Sequence, residues 1–267
     1  MSRLRQELDR YLIVRRSLGY DLSTSARILR RFIDVVHEPL PPGLMPYRRR
    51  RPRPYIYSET EVANIVATAA ELPSTYGLRG LTYATLFGLI AVSGLRISEA
   101  LALDAGDVDL DAGVLTIRRG KRSKARLAPL DLSVTERLPA YIHERDRLLG
   151  FTPQAVFVSE QGDRVSDCSA RYNFALVCKQ LGLWPPQRYG RHGRGPRIHD
   201  LRHSFAAKTM IGWYRNGQDA AVEMLKLMTY LGHTKPENTY WYIEIVPELL
   251  ELTAKRVNGS PDVEAAL

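Results

Sequence analysis

Cysteine is scarce in this chain. Cys168 and Cys178 are the two in 267 residues, too few for a disulfide framework and without the spacing of a metal-ligand set. Reduced thiols of an intracellular protein are the expectation. Long apolar runs are missing as well. The most apolar region, Leu81 to Leu95, is interrupted by Thr, Tyr, Gly and Ser and is too short to span a bilayer, so it reads as a buried helix. The N-terminus lacks the apolar core of a signal peptide, and no internal repeat or low-complexity tract is found. A nucleotide-binding loop is excluded too, because the glycine that such a loop needs five residues before Gly120 is Leu115. These absences point to a soluble cytoplasmic protein with no membrane partner and no nucleotide cofactor.

Lysine is missing from the first 57 residues, which instead hold thirteen arginines against five acids. Nearly all of the formal charge of +9 therefore resides in that segment, and the remaining chain is close to neutral. A basic appendage on a neutral body predicts a polyanionic partner, nucleic acid first and an anionic membrane second.

Residues 3–18 and 22–37 read as two amphipathic helices joined around Gly19. Pro39, Pro41, Pro42, Pro46, Pro52 and Pro54 then alternate with Arg48, Arg49, Arg50, Arg51 and Arg53, so residues 38–57 read as an extended linker. A capping box, Ser58-Glu59-Thr60-Glu61, opens the next helix. Helices are expected at 78–92, 96–103, 133–148, 167–181, 198–214, 218–229 and 247–257. A hairpin is expected from Val114–Arg118 and Arg126–Leu130 around Gly120, with a short strand at Val156–Val158. The organisation is a short basic helical segment (1–37), the linker, and an α+β domain over 58–267. That domain is mostly α-helical with a small antiparallel β-sheet.

Four stretches carry polar residues that suggest chemistry. In SGLRISEA (93–100), Arg96 and Glu99 share a helix face. Arg96 follows an apolar helix and a glycine turn, so its guanidinium should be partly buried, with Glu99 orienting it toward an anion. HDLRH (199–203) opens a helix after Pro196, placing His199 and Arg202 on one face in a first turn that favours anions. His199 and His203 are spaced as a zinc pair, but Arg202 would set a cation beside the metal and no third ligand is evident, so no metal is assigned. Gly120-Lys121-Arg122-Ser123-Lys124 forms a basic hairpin tip. In LGHTKPENTYWYI (231–243), Tyr240 and Tyr242 flank Trp241, and either a packed aromatic patch or a nucleophile fits such a run.

Taken in order, Arg96 with Glu99, the hairpin lysine, HDLRHSFA, and LGH followed by a late tyrosine resemble the tyrosine recombinases, the phage-integrase family. The resemblance covers about residues 55–257. It implies an integrase-like catalytic domain with Arg96, Lys121, His199, Arg202, His233 and Tyr242 as the active site, supported by Glu99. The family's lysine stands eight residues before the proline of the second strand, here Pro129, which selects Lys121 over Lys124. Its nucleophile stands nine residues after the histidine of LGH, which selects Tyr242; Tyr240, two residues away on a helix, would face elsewhere and pack.

The implied activity is metal- and cofactor-free cleavage and rejoining of double-stranded DNA through a 3′-phosphotyrosine, in integration, transposition or other site-specific recombination by a mobile element. Attack by a phenol on a phosphodiester builds negative charge that preorganised Arg96, Arg202 and His233 would meet. His199 would accept the phenolic proton and Lys121 would protonate the departing 5′-oxygen. Partners are DNA and further copies of the chain in a tetrameric synapse, at the nucleoid of a prokaryotic-type cytoplasm. Arg48, Arg49, Arg50, Arg51, Arg53, Arg122, Lys124, Arg191 and Arg194 are the expected DNA-backbone contacts. The sequence departs from the family ahead of the catalytic domain: LRQELDRYLIVRRSLGYDLSTSARILRRF resembles only the opening of the helical DNA clamp. Two alternatives stay open, a type IB topoisomerase and a shortened copy that binds DNA without recombining it.

Overall fold

The structure, a computed structural model, describes residues 3–17, 23–35, 54–118, 125–184, 195–233, 239, 241–242 and 246–258. The chain divides into two compact units, Met1–Pro52 and Arg53–Leu267. In the first, α1 (Arg3–Ser17) packs on α2 (Ser23–Val35). Leu12 and Ala26 are buried there, and Arg30 pairs with Asp9 at 3.0 Å.

The second unit begins earlier than the expected linker end. Tyr57 is fully buried. Its N–H donates to Ser204 Oγ at 2.8 Å and its hydroxyl to the Arg197 carbonyl at 3.2 Å, so the residue just before the capping box is anchored on α8. The Ser58 capping box forms in full, with reciprocal bonds between Ser58 and Glu61, and opens α3 (Glu59–Ala70). Next comes α4 (Leu78–Ser93), buried on several faces as a helix apolar nearly all round must be. It packs against α3, α6 (Leu132–Leu149), α7 (Asp167–Gln180) and α8 (Ile198–Arg215). The short α5 (Ile97–Leu101) follows the Gly94 turn, and α9 (Ala220–Leu231) and α10 (Pro247–Asn258) complete the helices used below.

The sheet has three antiparallel strands in the order β1 (Val108–Asp109), β2 (Val114–Ile117) and β3 (Arg126–Pro129). The hairpin matches expectation, with Leu115 opposite Ala128 and Ile117 opposite Arg126. Strand β1 was not expected, because two residues carry no alternating pattern. Residues 156–158 form no strand of this sheet; Ala155 and Val158 instead make isolated bridges with Asp104 and Arg164.

Two apolar clusters meet along α8. Its N-terminal residues Ile198 and Leu201 belong to the large core with α3, α4 and α7. From Ala206 onward it packs with α9, Tyr242 and Leu249. His199, Arg202 and His203 lie where the helix passes from one cluster to the other.

Candidate active site

The segment LGH is a helix C-cap. Gly232 adopts φ of 63°, a left-handed conformation that favours glycine. The Gly232 N–H donates to Thr229 O at 3.1 Å and the His233 N–H to Met228 O at 2.9 Å, the two bonds of a Schellman motif. That motif leaves three carbonyls at the end of α9 without helical donors, and each takes an arginine. Arg126 Nε donates to Tyr230 O at 2.8 Å, Arg202 to Leu231 O at 2.6 Å, and Arg96 to Gly232 O at 3.0 Å. Cations at a helix C-terminus are also favoured by its dipole. The three guanidiniums come from β3, α8 and the residue before α5, so one helix end fixes their convergence.

Glu99 completes the cluster from below. It is 2% exposed. Arg126 grips it with two bonds of 2.9 Å each, and Arg96 donates to it from both guanidinium, at 2.7 Å, and backbone N–H, at 2.9 Å. Arg202 stands 4.0 Å away. Burial alone would push this carboxyl up, but the arginine hydrogen bonds and charges outweigh it and hold Glu99 down at about 2. The second role of Glu99, capping α5 through the Arg96 N–H, goes beyond the simple ion pair that the spacing of the two residues suggests.

Arg202 is 1% exposed. Besides Leu231 O it donates to Gly94 O at 2.6 Å. Gly94 ends α4 with φ of 60° and its N–H on Ile90 O; a Cβ there would lie 2.4 Å from the Phe205 ring. Both carbonyls that hold Arg202 thus belong to helix ends capped by a glycine. Burial, reinforced by Arg96, lowers the Arg202 guanidinium to about 10, still a cation at neutral pH.

The histidines form the other side of the site. His199 and His203 meet edge to face with ring centres 4.6 Å apart. His203 Nδ1 is 2.7 Å from the Tyr242 hydroxyl, and Trp241 packs on the same imidazole at 5.7 Å. His233 Nδ1 bonds the buried Thr239 hydroxyl at 2.7 Å. Burial lowers His203 and His233 to about 3, with His199 adding to the first and Arg202 to the second. His199 is lowered in the same direction by desolvation and then Arg202, to about 4. All three imidazoles are neutral at neutral pH. Tyr242 is 1% exposed.

The structure thus brings Arg96, Glu99 and Arg202 into one cluster and His199, His203 and Tyr242 into contact beside it. It adds Arg126, which the sequence marks only as the start of a strand. A signal was there: period two puts Arg126 on the face of buried Ala128, while Leu127 on the other face is 65% exposed. An arginine on a core face requires a buried partner. The Tyr242 hydroxyl lies against His203 Nδ1, a residue assigned no role from the sequence, and His199 meets that same ring edge-on. Lys121, Arg122, Lys124, Arg191, Arg194, Arg48, Arg49, Arg50, Arg51 and Arg53, and Tyr240, lie outside the described residues. Among the described residues no helix is long and apolar enough to cross a membrane.

A mostly helical unit with a three-stranded antiparallel sheet, an arginine cluster on a buried glutamate and a tyrosine on a late helical turn defines a tyrosine-type DNA recombinase. The chain belongs to the phage integrase family, whose profile matches residues 57–248. Among curated relatives it is 39% identical over 222 residues to the putative integrase/recombinase y4rB of Sinorhizobium fredii, covering 81% of this chain and 69% of that protein. It is 28% identical over 221 residues to the tyrosine recombinase XerC of Chlamydia caviae, covering 82% of this chain and 61% of that one. Among solved structures the fold matches the XerA recombinase with a TM-score of 0.58 at 21% identity, covering 96% of this chain and 83% of that chain. It also matches the Tn1549 transposon integrase in complex with circular intermediate DNA, with a TM-score of 0.56 at 14% identity, covering 89% and 80%.

Proposed function

We propose that this chain cleaves and rejoins double-stranded DNA with Tyr242 as nucleophile, forming a 3′-phosphotyrosine in site-specific recombination. The observation that carries the reading is the convergence of Arg96, Arg126 and Arg202 on one helix end and one carboxylate, next to a phenol hydrogen-bonded to an imidazole. Guanidiniums already fixed by protein acceptors need no reorganisation when charge builds on a phosphodiester. Arg96 keeps 24% of its side chain open to solvent and supplies the fork nearest an incoming phosphate. His233, held by Thr239, adds a donor; Lys121 protonates the departing 5′-oxygen. The phosphotyrosine conserves the ester's bond energy, so a second DNA end religates without ATP.

The duplex is gripped through Arg48–Arg51 and Arg53 of the linker segment, Arg122 and Lys124 of the hairpin, and Arg191 and Arg194 of the loop before α8. Strand exchange takes place between copies of the chain in a tetrameric synapse at the nucleoid. The relatives named recombinases and integrases favour strand exchange over relaxation by a topoisomerase.

The test is covalent capture on nicked suicide duplexes built from DNA flanking the encoding gene. The parent chain should form an adduct and Tyr242→Phe should form none while binding DNA as before. Tyr240→Phe should retain the adduct. An adduct lost with Tyr240→Phe but kept with Tyr242→Phe would move the nucleophile and overturn the assignment.

A further inference from the structure

The cap of α9 fixes the backbone of His233, whose N–H donates to Met228 O at 2.9 Å. What its ring can offer then depends on which nitrogen carries the proton. Burial, and after it the Arg202 and Arg96 guanidiniums, keep the ring neutral. A neutral imidazole has one N–H and one lone pair, and the hydrogen bond made by one nitrogen decides the role of the other.

Nδ1 is bonded to the Thr239 hydroxyl at 2.7 Å, and the surroundings of Thr239 give that bond a direction. The residue is 0% exposed, and a buried hydroxyl needs an acceptor for its proton. Among the described residues, the His233 ring is the group that meets it. Were the ring to carry its proton on Nδ1, the hydroxyl proton would be buried with nothing to receive it. Thr239 and Tyr242 are both helical and three residues apart, hence on one face, and both are buried. The same bond therefore ties the His233 ring to the helical turn that bears the phenol.

Resting on the reading of His233 as a donor to the phosphate, we infer that Thr239 is its positioning residue: the hydroxyl donates to Nδ1 and so keeps the ring proton on Nε2. In that tautomer Nε2 is a donor, suited to a phosphate oxygen. In the other it would present a lone pair, which a phosphate oxygen repels. Thr239 acts through the ring and need not touch a reacting atom.

The test reads the tautomer directly, from the ring nitrogen chemical shifts of DNA-free protein carrying isotopically labelled histidine. At neutral pH the parent should show His233 unprotonated at Nδ1 and protonated at Nε2, its signals assigned by their loss in His233→Ala. Thr239→Val, similar in size but without the hydroxyl, should give a mixture of tautomers. It should also slow single-turnover cleavage of the nicked duplexes about tenfold, short of the 10²–10³ or so that follows loss of a preorganised donor. Thr239→Ser, which keeps the hydroxyl, should restore both tautomer and rate. In a His233→Ala background Thr239→Val should cost less than about twofold, because residues acting through one another do not add. Melting temperature is measured for every variant. A parent ring protonated on Nδ1 overturns the inference, and that result requires no variant to fold. So does a Thr239→Val ring still wholly protonated on Nε2, or a cost of Thr239→Val that His233→Ala leaves unchanged. His233→Ala cleaving at the parent rate removes the donor reading instead, and the spectra then still decide what Thr239 does to the ring.

Discussion

The two halves of the site are built on opposite physical plans. Arg96, Arg126 and Arg202 are held by directional bonds to carbonyls at the ends of α4 and α9 and to a carboxylate on α5. His199, His203 and Tyr242 are held by ring packing, with hydrogen bonds at Nδ1 of His203 and, apart from them, of His233. Charge is therefore kept permanently in the first half and kept out of the second. A phosphoryl transfer without metal needs both: fixed cations where negative charge develops, and neutral groups able to exchange protons. The difference teaches that one region keeps its charge by bonding it to fixed acceptors and the other stays uncharged through burial.

The comparison breaks most severely at Arg202. Arg202→Lys should lower cleavage by about 10²–10³, nearly as much as Arg202→Ala, because a point charge cannot serve Gly94 O and Leu231 O together and still face a phosphate. Single-turnover adduct formation measures this, and a Lys variant that cleaves normally would remove Arg202 from the site.

Arg126→Met should act through Glu99 instead. Losing a bidentate bond to a buried carboxylate costs about 1.5–3 kcal/mol, read as a lowered urea midpoint at unchanged slope. The Glu99 carboxyl should rise from about 2 toward its ordinary value, and unchanged stability would show that Arg96 suffices to hold Glu99.

Acid should separate the halves. His203 and His233 fall from the ordinary 6.5 to about 3, so the unfolded chain takes up protons that the folded one refuses. Their contribution is complete above pH 6.5 and is lost as pH falls toward 3. Glu99 is likewise depressed, from 4.5 to about 2, so its contribution is complete above pH 4.5 and is lost below. His203→Asn should flatten the stability profile beginning below pH 6.5, and Glu99→Gln should change its slope only below about pH 4.5, as followed by denaturation at fixed pH. A Glu99→Gln effect on the slope near pH 6 would contradict this division.

The smallest effect is expected from the first unit. Removing residues 1–52 takes away twelve of the thirteen N-terminal arginines. The plot of log affinity against log salt should then flatten by about 0.9 for each phosphate that those arginines no longer neutralise, with melting of the catalytic unit unchanged. A salt slope that does not move would assign the phosphate contacts to the hairpin and the loop before α8.

Much of this was legible in the sequence where local chemistry decides. The capping box at Ser58, the glycine ends of α4 and α9, and the apolar length of α4 each follow from the chain's own residues. Arg96, Glu99 and Arg202 were also legible, since cations next to apolar helices have to find acceptors. Arg126 was harder, because its neighbour Leu127 is the apolar residue that ought to face inward and does not. His203 was obscured for a different reason: its spacing from His199 is that of a zinc pair, and its contact with Tyr242 is tertiary. The role of the α9 end was invisible, because three carbonyls waiting for donors leave no trace in side-chain identity.

That helix end also ties the arginine cluster to conditions outside the protein. Among the described residues, three guanidiniums converge where one carboxylate answers them, so the folded state stores mutual repulsion that the unfolded chain escapes. Any oxyanion that enters the cluster binds the native state selectively and raises its melting point by mass action. Sulfate should therefore stabilise the catalytic unit beyond chloride at equal ionic strength, and Arg96→Gln should diminish that gain. The melting point of the catalytic unit should in this way report which anions surround it.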